Sequence, residues 1–370
     1  MKFMMVCGGS AGHINPAIAT ADALRRALPG CGILFVGAGR SMEKKLVPQA
    51  GYELRNLDML GLSRGLSPKK LMQNTEAAFK LATAARRADK LIREFQPDVV
   101  IGTGGYICYP VLKAAAKATI PTVLHESNAV PGLTTKLLTP IADKIFVSFE
   151  ESIVLYKDSE KVSVMATPVR ANFMRYTRER ARHDLALDDE THVVVSFWGS
   201  LGASGMNEIM KGFITQNIKE GAFHHIHAVG TQEGATELIR DVSGGEKLPE
   251  YVNIKAYIDD MPCVMAAADL VLCRAGGSTL AELSALGRAA VLVPSPYVAN
   301  DHQTPNAAAM AAGGGATVVS EADCTGEELF KTVADILHDK SGLRDMEERQ
   351  RALGARDAAA RFAEEIVALM

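Results

Sequence analysis

Apolar residues along this chain fall into short unbroken runs that stop at glycine and alternate with stretches of helical spacing. The first run, Lys2–Cys7, ends in Gly8-Gly9-Ser10-Ala11-Gly12. A helix-like stretch from Pro16 to Leu28 follows, with Pro at an early helical position where its missing N–H costs nothing. The middle of the chain repeats the unit: His192–Phe197 leads into Gly199–Gly202 and then a helix through Asn207 and Met210. Other apolar runs are Gly32–Val36, Asp98–Ile101, Thr122–Leu124, Lys144–Val147, Leu270–Cys273 and Ala290–Val293. Runs apolar on both sides, alternating with helices, predict parallel sheets covered on both faces. The fold class expected is α/β, with two Rossmann-like domains facing across a cleft, because ligand crevices lie beyond the carboxyl ends of such strands.

Length agrees with two domains, since 370 residues exceed one ordinary core. Pro168 in Ala166-Thr167-Pro168-Val169-Arg170 punctuates a strand end and marks the boundary, giving domains 1–167 and 168 onward. Formal charge is −3 in total but divides unevenly, +7 through residue 167 and −10 beyond it. A basic first half is expected to meet something anionic. The six cysteines are scattered, with no C-x-x-C pair and no zinc-like spacing to histidine, which reads as reduced thiols in a cytosolic protein. The opening apolar run is too short for a signal peptide, and no stretch nears the roughly 18 apolar residues of a spanning helix.

The glycine turns carry the candidate chemistry. Gly8 to His13 is no dinucleotide fingerprint, because Ser10 and His13 occupy glycine places, and it lacks the Gly-Lys-Ser/Thr of a P-loop. Its bare amides at a helix N-terminus still suit an anion or developing charge, and His13 enters the same space. A tight turn with a helix-capping histidine explains the residues equally well. The turn Arg274–Thr279 carries a stronger signal: the amides and hydroxyls of Gly277, Ser278 and Thr279 can hold a phosphate, and Glu282 lies one helical turn on. A carboxylate there suits a ribose diol, though a carboxylate early in a helix is common for its own sake.

Weaker signals surround these. The loop 295–306 (SPYVANDHQTPN) offers amides and hydroxyls to a sugar or simply to water, and HESNAVPG places Asn128 after a strand. Asp259-Asp260 cannot easily share a cation, since adjacent strand side chains point to opposite faces, so one is expected to cap a helix and the site to be metal-free. From Ser67 to Phe95 a helical stretch presents Lys69, Lys70, Lys80, Arg86, Arg87, Lys90 and Arg93. Such a run reads as a solvated face covering a sheet, or as a contact with an anionic bilayer. It lacks the aromatic interleaving of single-strand nucleic-acid binders, so no nucleic-acid partner is expected.

Taken in order, GGSAGHINPAIA, GTGGYICYPVLKAA, HESNAVPGLTTK, TPVR, GSLGA, YIDDM, CRAGGSTLAEL and HQTPNA resemble the MurG family of peptidoglycan glycosyltransferases along essentially the whole chain. The resemblance implies the two-Rossmann glycosyltransferase B fold, with the second domain at 168–348 and the last helix, about Arg349–Met370, returning to the first domain. It implies transfer of N-acetylglucosamine from UDP-N-acetylglucosamine to undecaprenyl-linked muramyl-pentapeptide, with no cofactor, at the cytoplasmic face of the bacterial inner membrane. Ser10, Ala11 and Gly12 would line the donor cleft and Asn128 would reach the sugar. Arg170 and the backbone of Ile258 would lie near uracil, and Ser200 would touch a phosphate. Gly277, Ser278, Thr279, Leu280 and Ala281 would cradle the diphosphate, Glu282 the ribose, and Gln303 and Asn306 the sugar hydroxyls. His13 would be the base.

Three positions depart from that pattern: Trp198 stands for the usual glycine, Ser127 for glutamine and Thr167 for asparagine. Trp198 is expected to narrow the phosphate approach at the second turn. The reaction implied is a metal-independent inverting displacement, in which histidine suits base work because its ordinary pKa, about 6.5, lies near neutrality. Two other readings remain: a UDP-sugar epimerase or another UDP-sugar transferase on the same fold, and a non-catalytic UDP-sugar-binding protein.

Overall fold

In the first half of the chain a run of β-branched and apolar residues becomes a strand wherever glycine or a polar turn stops it. The computed structural model describes all residues except 40, 58, 60–67, 200 and 201, and describes no side chains at 41, 68–80, 82 and 299. Among the described residues seven strands, β1 (Lys2–Cys7), β2 (Gly32–Gly37), β3 (Glu53–Asn56), β4 (Val99–Gly104), β5 (Thr122–Glu126), β6 (Lys144–Val147) and β7 (Val162–Val164), pair in parallel in the order 3-2-1-4-5-6-7. Between them run α1 (Ala11–Ala27), α2 (Ser41–Gln49), α3 (Pro68–Phe95), α4 (Cys108–Lys117) and α5 (Leu133–Leu138). The side-chain period of 2 sends Phe3, Met5 and Cys7 to one face and Met4 and Val6 to the other. All five are fully buried, so β1 is the centre of a sheet with a core on each side.

The helix after the first turn begins earlier than the sequence predicts. It starts at Ala11, so Pro16 sits inside it as the sixth residue and Ser10, extended, is its N-cap. The amides of His13 and Ile14 both donate to the Ser10 carbonyl, which makes the glycine turn and the helix's first turn one structure.

Among the described residues the second half has six parallel strands: β8 (Val193–Phe197), β9 (His224–Ala228), β10 (Val252–Lys255), β11 (Leu270–Cys273), β12 (Ala289–Leu292) and β13 (Ala316–Val318). Their order, 10-9-8-11-12-13, is the 3-2-1-4-5-6 of a doubly wound sheet. The helices are α6 (Arg178–Asp184), α7 (Ser204–Glu220), α8 (Gln232–Ser243), α9 (Met261–Ala267), α10 (Gly277–Leu286), α11 (Gln303–Ala312), α12 (Gly326–His338) and α13 (Lys340–Leu353). A buried ion pair ties the start of this unit together. Arg182 of α6, fully buried, bonds Asp269 at 2.6 Å and the carbonyls of Ala267, Asp188 and Thr191, while Asp269 also receives the Val193 N–H.

The chain divides into two compact units, Met1–Arg170 with Asp357–Met370, and Ala171–Arg356. Residues 349–353, expected in the returning helix, continue α13 instead, where Gln350 bonds Ser284 of α10 at 3.3 Å. The return is made by the separate helix α14 (Ala358–Val367), whose Phe362 packs edge-on to Phe146 at 4.9 Å and to His125 at 5.6 Å.

Candidate active site

The first unit builds its site where the strand order reverses. Cys7 at the end of β1 pairs with Gly104 at the end of β4, so the turns that leave these two strands meet. His13, in the first turn of α1 and half-buried, places Nδ1 2.9 Å from the Gly8 carbonyl. That oxygen only accepts, so Nδ1 carries the hydrogen and the neutral ring keeps its lone pair on Nε2. The Thr103 hydroxyl bonds the His13 carbonyl at 2.7 Å and fixes the backbone beneath the ring.

Two glycines make this approach possible. Gly104 has φ +122 and Gly105 φ +91. A Cβ at 104 would stand 2.4 Å from His13 Cδ2, and one at 105 would stand 2.4 Å from the Gly8 oxygen. Beneath the turn lies Glu43 of α2, fully buried, whose Oε1 accepts the N–H groups of Gly9 at 3.2 Å and Ala38 at 3.3 Å. A second carboxylate shapes the loop after β5. Glu126 accepts the backbone N–H and side-chain amide of Asn128, the Gly132 N–H and the Thr135 hydroxyl, the last at 2.6 Å. Asn128, half-buried, is thus held in place by its neighbour.

The unit's other strand-end histidine is unsuited to proton transfer. His125 is buried beneath Phe362, and desolvation pushes its pKa down to about 4. It reaches Ser148 Oγ at 3.4 Å, and Ser148 bonds Thr167 at 2.6 Å, which gives the unusual Thr167 a structural partner. Ser127, the other departure in this unit, is buried. Ser10 is exposed and its hydroxyl caps nothing, while Ala11, Gly12 and Arg170 are half-buried.

In the second unit Phe197 of β8 pairs with Cys273 of β11, again bringing two turns together at the reversal point. Gly276, without a side-chain cap, precedes α10, and Gly277, Ser278 and Thr279 form its half-buried first turn while Leu280 goes into the core. The N-terminal amides and dipole of this ten-residue helix suit a phosphate. Glu282 and Ala281 lie one turn further in, half-buried. Glu282 is close enough to the fully buried Cys273 to help burial raise that thiol's pKa. Arg274 braces the turn through the Val293 carbonyl at 3.0 Å and Glu321 at 2.7 Å.

Gln303 and Asn306 do not simply face outward as loop residues. Both are buried in α11: Gln303 Oε1 takes the Ser295 N–H at 2.8 Å, and Asn306 donates to the Ala275 carbonyl at 3.0 Å. They set the shape of the 295 loop and the 275 turn. Ile258 is buried beside a pocket of about 670 Å³ that Gln232, Tyr257 and Asp259 help to line. Asp260 caps α9 through the Cys263 N–H at 3.2 Å, as the sequence suggests for one of the pair. Ser200 lies outside the described residues. Trp198 does not narrow an approach: it is 3% exposed, packed in the core with the Arg274 guanidinium 5.8 Å from its ring. Among the described residues no group of three or more His, Cys, Asp or Glu is placed to hold a metal ion.

The glycosyltransferase family 28 N-terminal domain matches residues 3–147, and the C-terminal domain of the same family matches residues 193–362. A UDP-N-acetylglucosamine--N-acetylmuramyl-(pentapeptide) pyrophosphoryl-undecaprenol N-acetylglucosamine transferase from Acetivibrio thermocellus is 38% identical over 370 residues, covering 100% of this chain and 98% of that protein. One of the same name from Halalkalibacterium halodurans is 36% identical, with 97% of each chain covered. Among solved structures, MurG of Acinetobacter baumannii superposes with a TM-score of 0.76 at 27% identity, covering 99% of both chains. The UDP-GlcNAc 2-epimerase of Neisseria meningitidis, at 15% identity and a TM-score of 0.68 over 100% of both chains, shares the fold alone.

Proposed function

The chain belongs to glycosyltransferase family 28, and from that premise we propose how its two units divide the work. The activity is transfer of N-acetylglucosamine from UDP-N-acetylglucosamine to undecaprenyl-pyrophosphoryl-N-acetylmuramyl-pentapeptide, the lipid I to lipid II step of peptidoglycan synthesis. The fold is that of a glycosyltransferase B enzyme. His13 Nε2 takes the proton of the acceptor's 4-hydroxyl as that oxygen attacks the anomeric carbon. The bond from that carbon to the diphosphate breaks on the opposite side, inverting the centre, and UDP leaves with the bonding pair. The observation that carries this assignment is the Nδ1–Gly8 bond, which fixes the ring with its basic nitrogen unengaged by the turn. General base work of this kind is worth about 10² to 10⁴ in rate.

In the second unit the first turn of α10, from Gly277 to Ala281, receives the diphosphate and stabilises its growing charge. Glu282 takes the ribose diol, the backbone of Ile258 and Arg170 lie by the uracil, and Ser200 touches a phosphate. Ser10, Ala11, Gly12 and Asn128 line the sugar's side, and Gln303 and Asn306, buried, hold the 295 loop and the 275 turn toward its hydroxyls.

Because the acceptor is a lipid, the first unit docks on an anionic bilayer at the cytoplasmic face as a peripheral protein. Three features support this: the unit's positive charge, the outward Arg86, Arg87 and Arg93 of α3, and exposed Leu133 and Leu137 flanking Lys136 on α5. The inner side of α3 buries Ala84, Ala88 and Ile92 against the sheet, so one helix serves both purposes expected of it. Among the described residues no helix is long and apolar enough to cross a membrane. Lys69, Lys70 and Lys80 have side chains outside the description.

UDP release, measured with a panel of UDP-sugars with and without the lipid-linked acceptor, tests the assignment. Acceptor-dependent release from UDP-N-acetylglucosamine is the result expected; an epimerase would act without acceptor, and a binding protein would release nothing. His13→Ala that folds, binds donor and turns over near-normally removes His13 from the role. Liposome binding unchanged after neutralising Lys69, Lys70, Arg86 and Arg87 removes the membrane assignment from α3.

A further inference from the structure

We propose that Glu43 is a positioning residue for His13 that acts through a single peptide group. The Gly8–Gly9 peptide presents its N–H to the Glu43 carboxylate at 3.2 Å and its carbonyl to His13 Nδ1 at 2.9 Å. Carboxylate, peptide and imidazole thus form one hydrogen-bonded chain. Each bond polarises the next, so negative charge at Glu43 strengthens the Gly8 carbonyl as an acceptor and makes Nε2 a better base. The arrangement supplies what a buried carboxylate bonded directly to an imidazole supplies elsewhere, namely tautomer, ring orientation and stabilisation of the imidazolium. This rests on the reading of His13 as the base.

The surroundings are built for it. Glu43 is fully buried, with Oε2 unpartnered among the described residues and both N–H donors aimed at Oε1. A Cβ on Gly8 would stand 2.7 Å from that Oε1, so only glycine lets the carboxylate reach the peptide. Burial pushes the Cys7 thiol well up and Cys108 up to about 12, and pushes His125 down to about 4; the carboxylate of Glu126, which adds to the rise at Cys108, bonds the loop after β5 and not this peptide. Glu43 is the carboxylate that bonds the Gly8–Gly9 peptide among the described residues. It stands thirty residues from His13 in sequence, and no motif announces it.

The test is Glu43→Gln, whose Oε1 still accepts both N–H groups while the charge is gone. The expected result is kcat lowered about threefold to tenfold and the acidic limb of the pH–kcat profile moved down by about one pH unit, with donor KM unchanged. A purely structural role leaves the profile superimposable on wild type, and that result overturns the proposal. Imidazole ¹⁵N spectra of the unmutated protein, with His13 assigned by its loss in His13→Gln, keep the question open to refutation should the variant not fold. A neutral ring protonated on Nδ1 is expected; one protonated on Nε2 overturns the proposal. Should the wild-type enzyme transfer no sugar at all, the reaction reading fails, while the same spectra of Glu43→Gln still report whether carboxylate and ring are coupled.

Discussion

Replacing Gly104 with alanine tests whether the meeting of two strand ends sets the His13 ring, the base of the proposed reaction. The new Cβ stands 2.4 Å from His13 Cδ2, against about 3.4 Å for ordinary contact, so the imidazole must yield by about 1 Å. A shift of that size at a reacting group costs on the order of 10²-fold in rate. Alanine at φ +122 also adds strain of about 1 to 3 kcal/mol, which lowers stability without bearing on catalysis. Gly9→Ala separates the two effects, since position 9 has φ +93 but nothing within 4 Å of its Cβ. Acceptor-dependent UDP release, thermal melting and UDP calorimetry are measured on both variants. Both are expected to melt lower, but only Gly104→Ala to lose about 10²-fold in kcat, with UDP affinity kept because the proposed diphosphate and ribose holders, Gly277 to Glu282, lie in the other unit. If Gly104→Ala stays within about threefold of Gly9→Ala in kcat, the ring's position is not what this loop provides.

Asp269→Ala leaves Arg182 buried without its partner and is expected to cost about 3 to 5 kcal/mol in urea unfolding; a loss under about 1 kcal/mol would show the pair to be dispensable. Ser196 Oγ bonds His225 at 2.8 Å and His227 at 2.7 Å in the second core, where desolvation lowers both rings, His227 to about 4. The unfolded chain binds protons at these rings below about pH 6.5 while the folded one resists, so stability is full above that pH and falls toward pH 4, by about 3 kcal/mol for His227 alone. The triple variant Ser196→Ala, His225→Leu, His227→Leu should flatten that acid limb; an unchanged limb assigns it elsewhere. Glu282→Ala should weaken UDP about 10- to 100-fold by calorimetry, the worth of hydrogen bonds to a charged group, and unchanged affinity would move the ribose from this residue.

The sheets were legible because buried parallel strands announce themselves as unbroken apolar runs. Lys2–Cys7, Lys144–Val147 and Leu270–Cys273 are read to the residue. The start of α1 was not, because proline is a good marker of a first turn only when it lies in it. Here Pro16 sits six residues in, and glycine and serine at the true start carry little propensity of their own. His13 and Asn128 were readable as candidates because each closely follows a strand end, and Glu282 because it lies one helical turn past a glycine turn. Glu43, Glu126, Gly104 and Gly105 escaped because their roles depend on strand order: only the pairing of β1 with β4 brings Gly104 to His13. Trp198 was misjudged for the same reason, since a position in a turn does not say which way the side chain goes. The packed core of the second unit takes it.

In the proposed reaction the turn before α10 and the carboxylate one turn beyond it hold uridine diphosphate for transfer. A crystal structure of the protein soaked with UDP tests it most directly. The diphosphate is expected against the amides of Gly277 to Thr279 and the ribose hydroxyls on Glu282; a nucleotide bound with its ribose away from Glu282 would contradict this assignment.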